Sequence, residues 1–172
     1  MKNLFAISLI FLWSAAPAQK KTAGSNDASR CEVIRTLIVK AQTKVMKDEA
    51  RENIPNDDME TWKAATTLPG ATRCIIQDAV TTKAYIAEFG FVYSKNEDAT
   101  LTQQYNNLVN EFKNCFKNEF KENVIHPEEG ILHGSQFEGL GKNADVNVNF
   151  FQLYNPAEKK QYVSITIMYD PE

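Results

Sequence analysis

The sequence has little of what enzymes and cofactor-binding proteins use. Its 172 residues include only two histidines, and it contains no C-x-x-C pair, no phosphate-loop motif and no N-x-[ST] glycosylation sequon. A zinc site needs several nitrogen or sulfur ligands at defined spacing, and a phosphate loop needs a glycine-rich turn that leads into a helix. The sequence therefore specifies no reaction, and we expect neither a metal ion nor another cofactor.

A strong excess of one charge is also lacking. Nineteen Lys and Arg residues stand against 22 Asp and Glu residues, which gives a formal net charge of −3. Proteins that bind nucleic acid or anionic lipid usually carry clustered positive charge. We therefore expect no nucleic acid as a partner, and the acidic excess is too small to indicate a basic partner.

The one long hydrophobic run lies at the N-terminus, where Leu4–Trp13 (LFAISLIFLW) follows Lys2 and precedes Ala16-Pro17-Ala18. A bilayer span needs about 20 apolar residues, so this run is too short to cross a membrane. A positive charge, a short apolar core and an A-x-A site are together typical of a secretory signal peptide. An uncleaved anchor is the alternative.

This N-terminal pattern divides the chain. We predict a signal peptide over residues 1–18, a disordered lead over residues 19–29 and a single domain over residues 30–172, with no membrane span in the mature chain. The expected location is the periplasm or the medium of a bacterial cell.

The three cysteines, Cys31, Cys74 and Cys115, indicate one disulfide and one thiol left over in an exported protein. All three fall on positions expected to face a shared core, so that three pairings are open. We rank Cys74–Cys115 first, Cys31–Cys115 second and Cys31–Cys74 third. The alternative is that all three are small buried apolar residues.

Two stretches have the periodicity of amphipathic helices. The longer covers Asp98–Phe120, with a possible capping box from Thr100 to Gln103. The other covers Arg30–Asn53 and ends before Pro55, because proline disfavours the helical conformation of the residue before it. Apolar residues on the inner face of the longer helix recur at steps of three and four: Leu101, Tyr105, Leu108, Phe112, Cys115 and Phe116.

Alternating and turn-bounded segments predict six strands. They are Thr61–Thr67, Thr72–Gln77, Lys83–Tyr93, Ile131–Phe137, Asp145–Tyr154 and Gln161–Tyr169. The third strand carries an aromatic row at period two, and we expect that row to face the helices, with an exposed binding stripe as the alternative. The row consists of Tyr85, Phe89, Phe91 and Tyr93, with Ala87 between them.

These elements predict an α+β fold in which two helices pack on one face of a mainly antiparallel sheet, in the order α-β-β-β-α-β-β-β. The two halves have the same element order although their residues differ, which suggests a structural pseudo-repeat. The other face of the sheet would be open to solvent and available for docking.

Few residues are candidates for chemistry. His126 and His133 lie near Glu128 and Glu129, but their spacing matches no metal-binding motif, and loop surface is the simpler interpretation. Ser135 lacks the glycines of a hydrolase nucleophile turn.

The leading hypothesis is a non-catalytic exported binding module, for example an inhibitor, an immunity-type protein or an accessory subunit. It would recognise another protein through the open sheet face or through the loops Pro55–Thr61 and His126–Gly130. The residues expected to bind are Trp62, Thr166, Ser164, His126 and Glu128. Trp62 could instead cap the end of the core.

Two alternatives stay open. The first is a small-ligand carrier, whose pocket would be lined by Tyr85, Phe89, Phe112 and Phe116. The second is a small hydrolase that uses His126 or His133 with Glu128 or Glu129.

Overall fold

The computed structural model describes residues 25–55, 60–78 and 83–170, with side chains from residue 30 onward. The predicted signal peptide lies outside these residues. In chain order the helices and strands are α1 (Ser25–Gln42), β1 (Ala50–Ile54), β2 (Thr61–Ala64), β3 (Arg73–Asp78), β4 (Lys83–Tyr93), α2 (Ala99–Cys115), β5 (Phe120–Ile125), β6 (Ile131–Gly139), β7 (Val146–Asn155) and β8 (Lys160–Tyr169). Two short 3-10 helices cover Met46–Glu49 and Gly141–Asn143.

The eight strands form one antiparallel sheet in the order β1-β2-β3-β4-β8-β7-β6-β5. Both helices pack on one face of this sheet, which confirms the predicted α+β class. Each half contains one strand more than predicted, since β1 and β5 were not recognised as strands. Both halves are nevertheless four-stranded meanders, as the pseudo-repeat hypothesis requires.

The first helix differs from its predicted range at both ends. It begins at Ser25, inside the segment predicted to be a disordered lead, and it ends at Gln42 instead of Asn53. Lys44 has a φ of 58°, and the amides of Lys44 and Val45 donate to the carbonyls of Ala41 and Lys40. This is the hydrogen-bond pattern of a glycine-terminated helix with lysine in the glycine position. The usual sequence signal for a helix end is therefore missing.

The second helix begins one residue before the predicted capping box. Asp98 is the N-cap, and its carboxylate accepts hydrogen bonds from the amides of Thr100 and Leu101 at 2.9 and 3.0 Å. The helix ends at Cys115, and Asn118 then takes a φ of 63° as the chain reverses into β5. The predicted box from Thr100 to Gln103 is therefore wrong, because an aspartate caps the helix two residues earlier.

The core lies between the helices and one face of the sheet. Phe112 of α2 is its centre, with the ring centroids of four other phenylalanines between 4.6 and 5.3 Å away. Those rings belong to Phe116, Phe120, Phe137 and Phe150. Aromatic pairs at such distances add to the free energy gained by burying their surface.

The helices are joined covalently through Cys31 and Cys115. The pairing ranked first, Cys74–Cys115, is wrong because Cys74 lies on β3, where its sulfur accepts a hydrogen bond from the amide of Leu68 at 3.4 Å. The second-ranked pairing is the one observed. A disulfide is compatible with an extracellular location, since disulfides persist in oxidising compartments.

A buried ion pair joins α1 to the first half of the sheet. The Glu49 side chain is only 2% exposed, and it contacts the ammonium of Lys40 and accepts a hydrogen bond from the Thr66 amide at 2.8 Å. Burial alone would raise the pKa of Glu49, but the hydrogen bonds from Lys40 and Thr66 outweigh burial and hold that pKa below its usual value. The pair therefore stabilises the fold while Glu49 is ionised.

Replacing both Cys31 and Cys115 by serine should lower the free energy of unfolding by roughly 4 kcal/mol, because the bridge closes a loop across 84 positions of sequence. Urea unfolding measures the change. As a control, Cys74→Ser should change stability far less, and thiol titration of the wild-type chain should find one free thiol. Loss of stability only in Cys74→Ser would contradict the observed pairing.

Lys40→Met should lower the free energy of unfolding by about 2–3 kcal/mol, because Glu49 loses its cation in a buried position. We expect less than the roughly 3–5 kcal/mol of a fully buried pair, since the Lys40 side chain keeps 31% exposure. Chemical unfolding at neutral pH measures this, with the exposed Lys47→Met as the matched control.

The Lys40–Glu49 ion pair should also make the stability of the protein depend on pH. Because the pKa of folded Glu49 is lowered, its stabilising contribution is present above its unfolded pKa and is lost as the pH falls through the folded pKa. The difference between wild type and Lys40→Met should therefore shrink as the pH falls and Glu49 becomes protonated, and it should be smallest below the folded pKa of Glu49 in the wild type. A difference that grew on acidification would contradict this assignment.

Candidate functional site

The face of the sheet opposite the helices, here called the open face, changes its composition along β4. Phe89 pairs with Val163 of β8, but the next register pair joins Phe91 to Tyr162, and the shift leaves Gly90 as an extra residue. Gly90 has a φ of 54°, a conformation that side-chain-bearing residues rarely adopt. Such a bulge moves the residues that follow it onto the other face of the sheet.

The prediction that the whole aromatic row faces the helices is therefore half wrong. Tyr85 and Phe89 are buried in the core as predicted. Phe91 and Tyr93 lie on the open face and are 53% and 71% exposed. A lone glycine within a strand pattern is the sequence signal that indicates a bulge.

The open face carries an apolar cluster at the end where β4 leaves the sheet. Its members occupy neighbouring register positions on the three adjacent strands β4, β8 and β7. We call it the aromatic patch, and it consists of Phe91, Tyr93, Phe151, Leu153 and Tyr162. The patch continues onto β6, where Ile131 is the register partner of Leu153.

Gly134 of β6 leaves room for the side chains beside it. An added Cβ at this glycine would lie 2.8 Å from Cβ of Ile125 and 3.3 Å from Cδ1 of Phe151. The two apolar side chains therefore approach each other across the glycine. This extends the apolar surface toward β5.

One lysine supplies positive charge within the patch. The ammonium of Lys160 lies 5.0 Å from the ring centroid of Phe91 and 5.6 Å from that of Tyr162, with the carboxylate of Glu158 at 3.9 Å. Burial raises the pKa of Tyr162, and the carboxylates of Glu88 and Glu158 act in the same direction. The phenol therefore stays neutral and able to donate a hydrogen bond.

Several polar side chains lie in the middle of the open face, on β6, β7 and β8. Thr166 and Ser164, both expected to contribute to binding, lie there on β8, Thr166 half-buried and Ser164 only 3% exposed. Asn149 pairs with Thr166, and Gln136 of β6 pairs with Asn149. Hydroxyl and amide groups thus adjoin the aromatic patch.

The other residues expected to bind do not all gather here. Trp62 faces the core side of β2, and the ammonium of Lys83 lies 3.6 Å from its ring centroid. His126 and Glu128 are exposed in the β5–β6 loop at the end of the sheet that carries the patch. The predicted loop Pro55–Thr61 lies partly outside the described residues.

Of the two histidines considered for hydrolysis, His133 has a different partner from the one expected. Nε2 of His133 lies 2.8 Å from Oε1 of Glu97, which also accepts a hydrogen bond from Thr102. These hydrogen bonds, that of His133 first, hold the pKa of Glu97 below its usual value. Among the described residues, the carboxylate that His133 contacts is that of Glu97, and not that of Glu128 or Glu129 as expected.

Ser135 is also engaged structurally. Its hydroxyl lies 2.8 Å from the Tyr105 hydroxyl and donates to Oε1 of Glu122 at 3.2 Å. It is 4% exposed beneath α2, so that a substrate could reach it only if the helix moved. His133 stacks on the ring of Tyr105 with a centroid separation of 5.6 Å. These groups hold α2 on the sheet.

The described residues contain no group of three or more His, Cys, Asp or Glu side chains placed to hold a metal ion. Within the same residues no helix is both long and apolar enough to cross a membrane. Comparisons of the chain with protein-family models, with curated proteins and with solved structures found no match.

Gly90→Ala should lower the free energy of unfolding by about 2 kcal/mol, because alanine is strained at a φ of 54° and its Cβ would lie 3.3 Å from Cδ2 of Leu101. Gly141→Ala is the matched control, since Gly141 has a φ of 57° but no atom within 4 Å of an added Cβ. Thermal unfolding of both variants separates strain from crowding. Equal losses of stability in the two variants would show that crowding against α2 adds nothing to the effect of Gly90→Ala.

Proposed function

We propose that this protein is an exported, non-catalytic binding module that recognises another protein through its open face. An inhibitor, an immunity-type protein and an accessory subunit all belong to this class. The observation that carries the proposal is the exposure of Phe91 and Tyr93 on a sheet face that also carries the amide and hydroxyl groups of Gln136, Asn149 and Thr166. Export is supported by the signal-peptide pattern and by the disulfide.

The composition of this face suits protein recognition. Aromatic residues are enriched at protein interfaces, where they provide large contact areas at a low cost in side-chain entropy. Asparagine and serine supply hydrogen bonds that adapt to different partners. The aromatic patch would be the anchor, and the half-buried polar groups of Thr166 and Gln136 would set the orientation.

The core packing bears on the small-ligand alternative. The four residues expected to line a pocket are between 0 and 3% exposed: Tyr85, Phe89, Phe112 and Phe116. The rings of Phe112 and Phe116 already stack with their centroids 4.6 Å apart, so a ligand between those two rings would have to separate them. In the hydrolase alternative, His133 would act with Glu97 in place of the loop carboxylates, whereas His126 would act with Glu128 or Glu129 in the exposed β5–β6 loop.

The proposal is tested by capturing a partner with the mature chain, residues 19–172, from periplasm and culture medium, and then measuring its affinity for variants. The double variant Phe91→Ser/Tyr93→Ser should bind at least about 30-fold more weakly, which corresponds to the loss of one hot-spot residue. Thr166→Arg should also abolish binding, because it places a bulky charge in the middle of the same face.

The matched control is Val39→Ser, which changes an apolar residue of α1 that is 51% exposed. This variant should bind as wild type does. Full binding by both open-face variants would discard this surface as the docking site, and the lack of any stoichiometric partner in either fraction would count against the binding-module proposal itself.

A further inference from the structure

The outer edge of the sheet at β5 has the features of a strand-addition site. Among the described residues β5 pairs only with β6, so that one side of it has no neighbouring strand. Val124 at this edge is 68% exposed. Free sheet edges are templates for pairing with another extended chain.

The hydrogen-bonding pattern identifies which groups are available. The amide of Leu140 donates to the carbonyl of Glu119 at 2.9 Å, one position before the β5–β6 ladder begins. Bonded and non-bonded pairs alternate in an antiparallel ladder. The N–H and C=O groups of Phe120, Glu122 and Val124 are therefore directed away from β6.

A pocket lies beside this edge on the helix face. Its volume is about 280 Å³, and it is lined by Phe112, Phe116, Phe120 and Phe137 together with the side chains of Lys113, Lys117 and Glu122 and with Asn118. Sites for whole small ligands usually measure roughly 300–1,000 Å³, so this pocket suits a single large side chain. A strand added to β5 would present alternate side chains to the helix face, where the pocket lies.

The charges around the pocket favour an acidic partner. Lys113 is paired with Glu122 at 2.6 Å, whereas Lys117 is exposed and has no ion-pair partner in the described part of the chain. Both lysines lie on the helix side of the edge. A carboxylate two residues from the inserted side chain would share its face and reach them.

We propose that the β5 edge binds an extended segment of a partner protein by strand addition. One aromatic or large aliphatic side chain of the segment enters the pocket, and a carboxylate two positions away pairs with Lys117. This site is separate from the open face and does not depend on it.

The test uses three synthetic peptides and NMR titration of the full mature chain. The probe is Ac-TVETFTETVT-NH2. It has a glutamate two residues away on each side of the phenylalanine, so that one of them can reach Lys117 whether the peptide runs parallel or antiparallel to β5. Ac-TVKTFTKTVT-NH2 reverses the charges, and Ac-TVETATETVT-NH2 removes the anchor. We expect saturable binding of the first peptide and an affinity about tenfold lower for each of the other two. The chemical-shift changes of the protein should be centred on the backbone amides of β5.

Variants of the protein locate the site. Val124→Pro removes an outward N–H that no ladder bond uses, so that the fold should persist while affinity for the first peptide falls by about tenfold or more. Val124→Thr keeps the N–H and should bind within about twofold of wild type. Lys117→Glu should lower the affinity for the glutamate peptide by up to about fivefold, whereas Lys47→Glu should leave that affinity unchanged.

Three results would overturn the proposal. One is no saturable binding of the first peptide up to about 1 mM. Another is equal binding by wild type and a folded Val124→Pro variant. The third is a wild-type dimer that Val124→Pro dissociates, since the occupant of the edge would then be a second copy. The open-face variant Thr166→Arg should leave peptide binding unchanged, which separates this site from the proposed function.

Discussion

The conformation of Gly90 determines which aromatic side chains of β4 belong to the core and which to the surface. Without the bulge, strict alternation would direct Phe91 and Tyr93 toward the helices, where α2 already occupies the space. With it, β4 contributes Tyr85 and Phe89 to the core and two exposed rings to the open face. One residue with a positive φ thus produces both a closed core and an apolar surface patch.

The two helices pack mainly on β8, β7 and β6 of the eight-stranded sheet. Helix α1 packs on β7 and β8, α2 packs on β6, β7 and β8, and the disulfide joins the helices to each other. Helix α2 is further held by hydrogen bonds that involve Thr102, Tyr105 and the sheet residues Gln152 and Ser135. Helix α2 meets β5 through Phe112, whose ring lies against Phe120, and through Lys113, which pairs with Glu122. The aromatic pocket lies between these two elements at the edge of the sheet.

Periodicity predicted the elements whose structure is set by local pattern. The bounds of β4 agree with the prediction, and β7 and β8 differ from it by one residue. Features that depend on one unusual residue or on distant contacts were missed. Lys44 ends α1 in a conformation that usually requires glycine, and β1 is a strand because β2 pairs with it. The pairing of His133 with Glu97 spans 36 residues, a distance over which spacing in sequence carries no information.

The central claim is that Phe91 lies on the open face, and nuclear Overhauser contacts in the folded protein test it most directly. The account predicts contacts from the Phe91 ring to Tyr162 and to the Lys160 side chain, whose ammonium lies 5.0 Å from the ring centroid. Contacts from the Phe91 ring to the methyl groups of Leu101 and Leu108 on α2 would instead place the ring in the core. That result would contradict the bulge, the aromatic patch and the docking surface built on them.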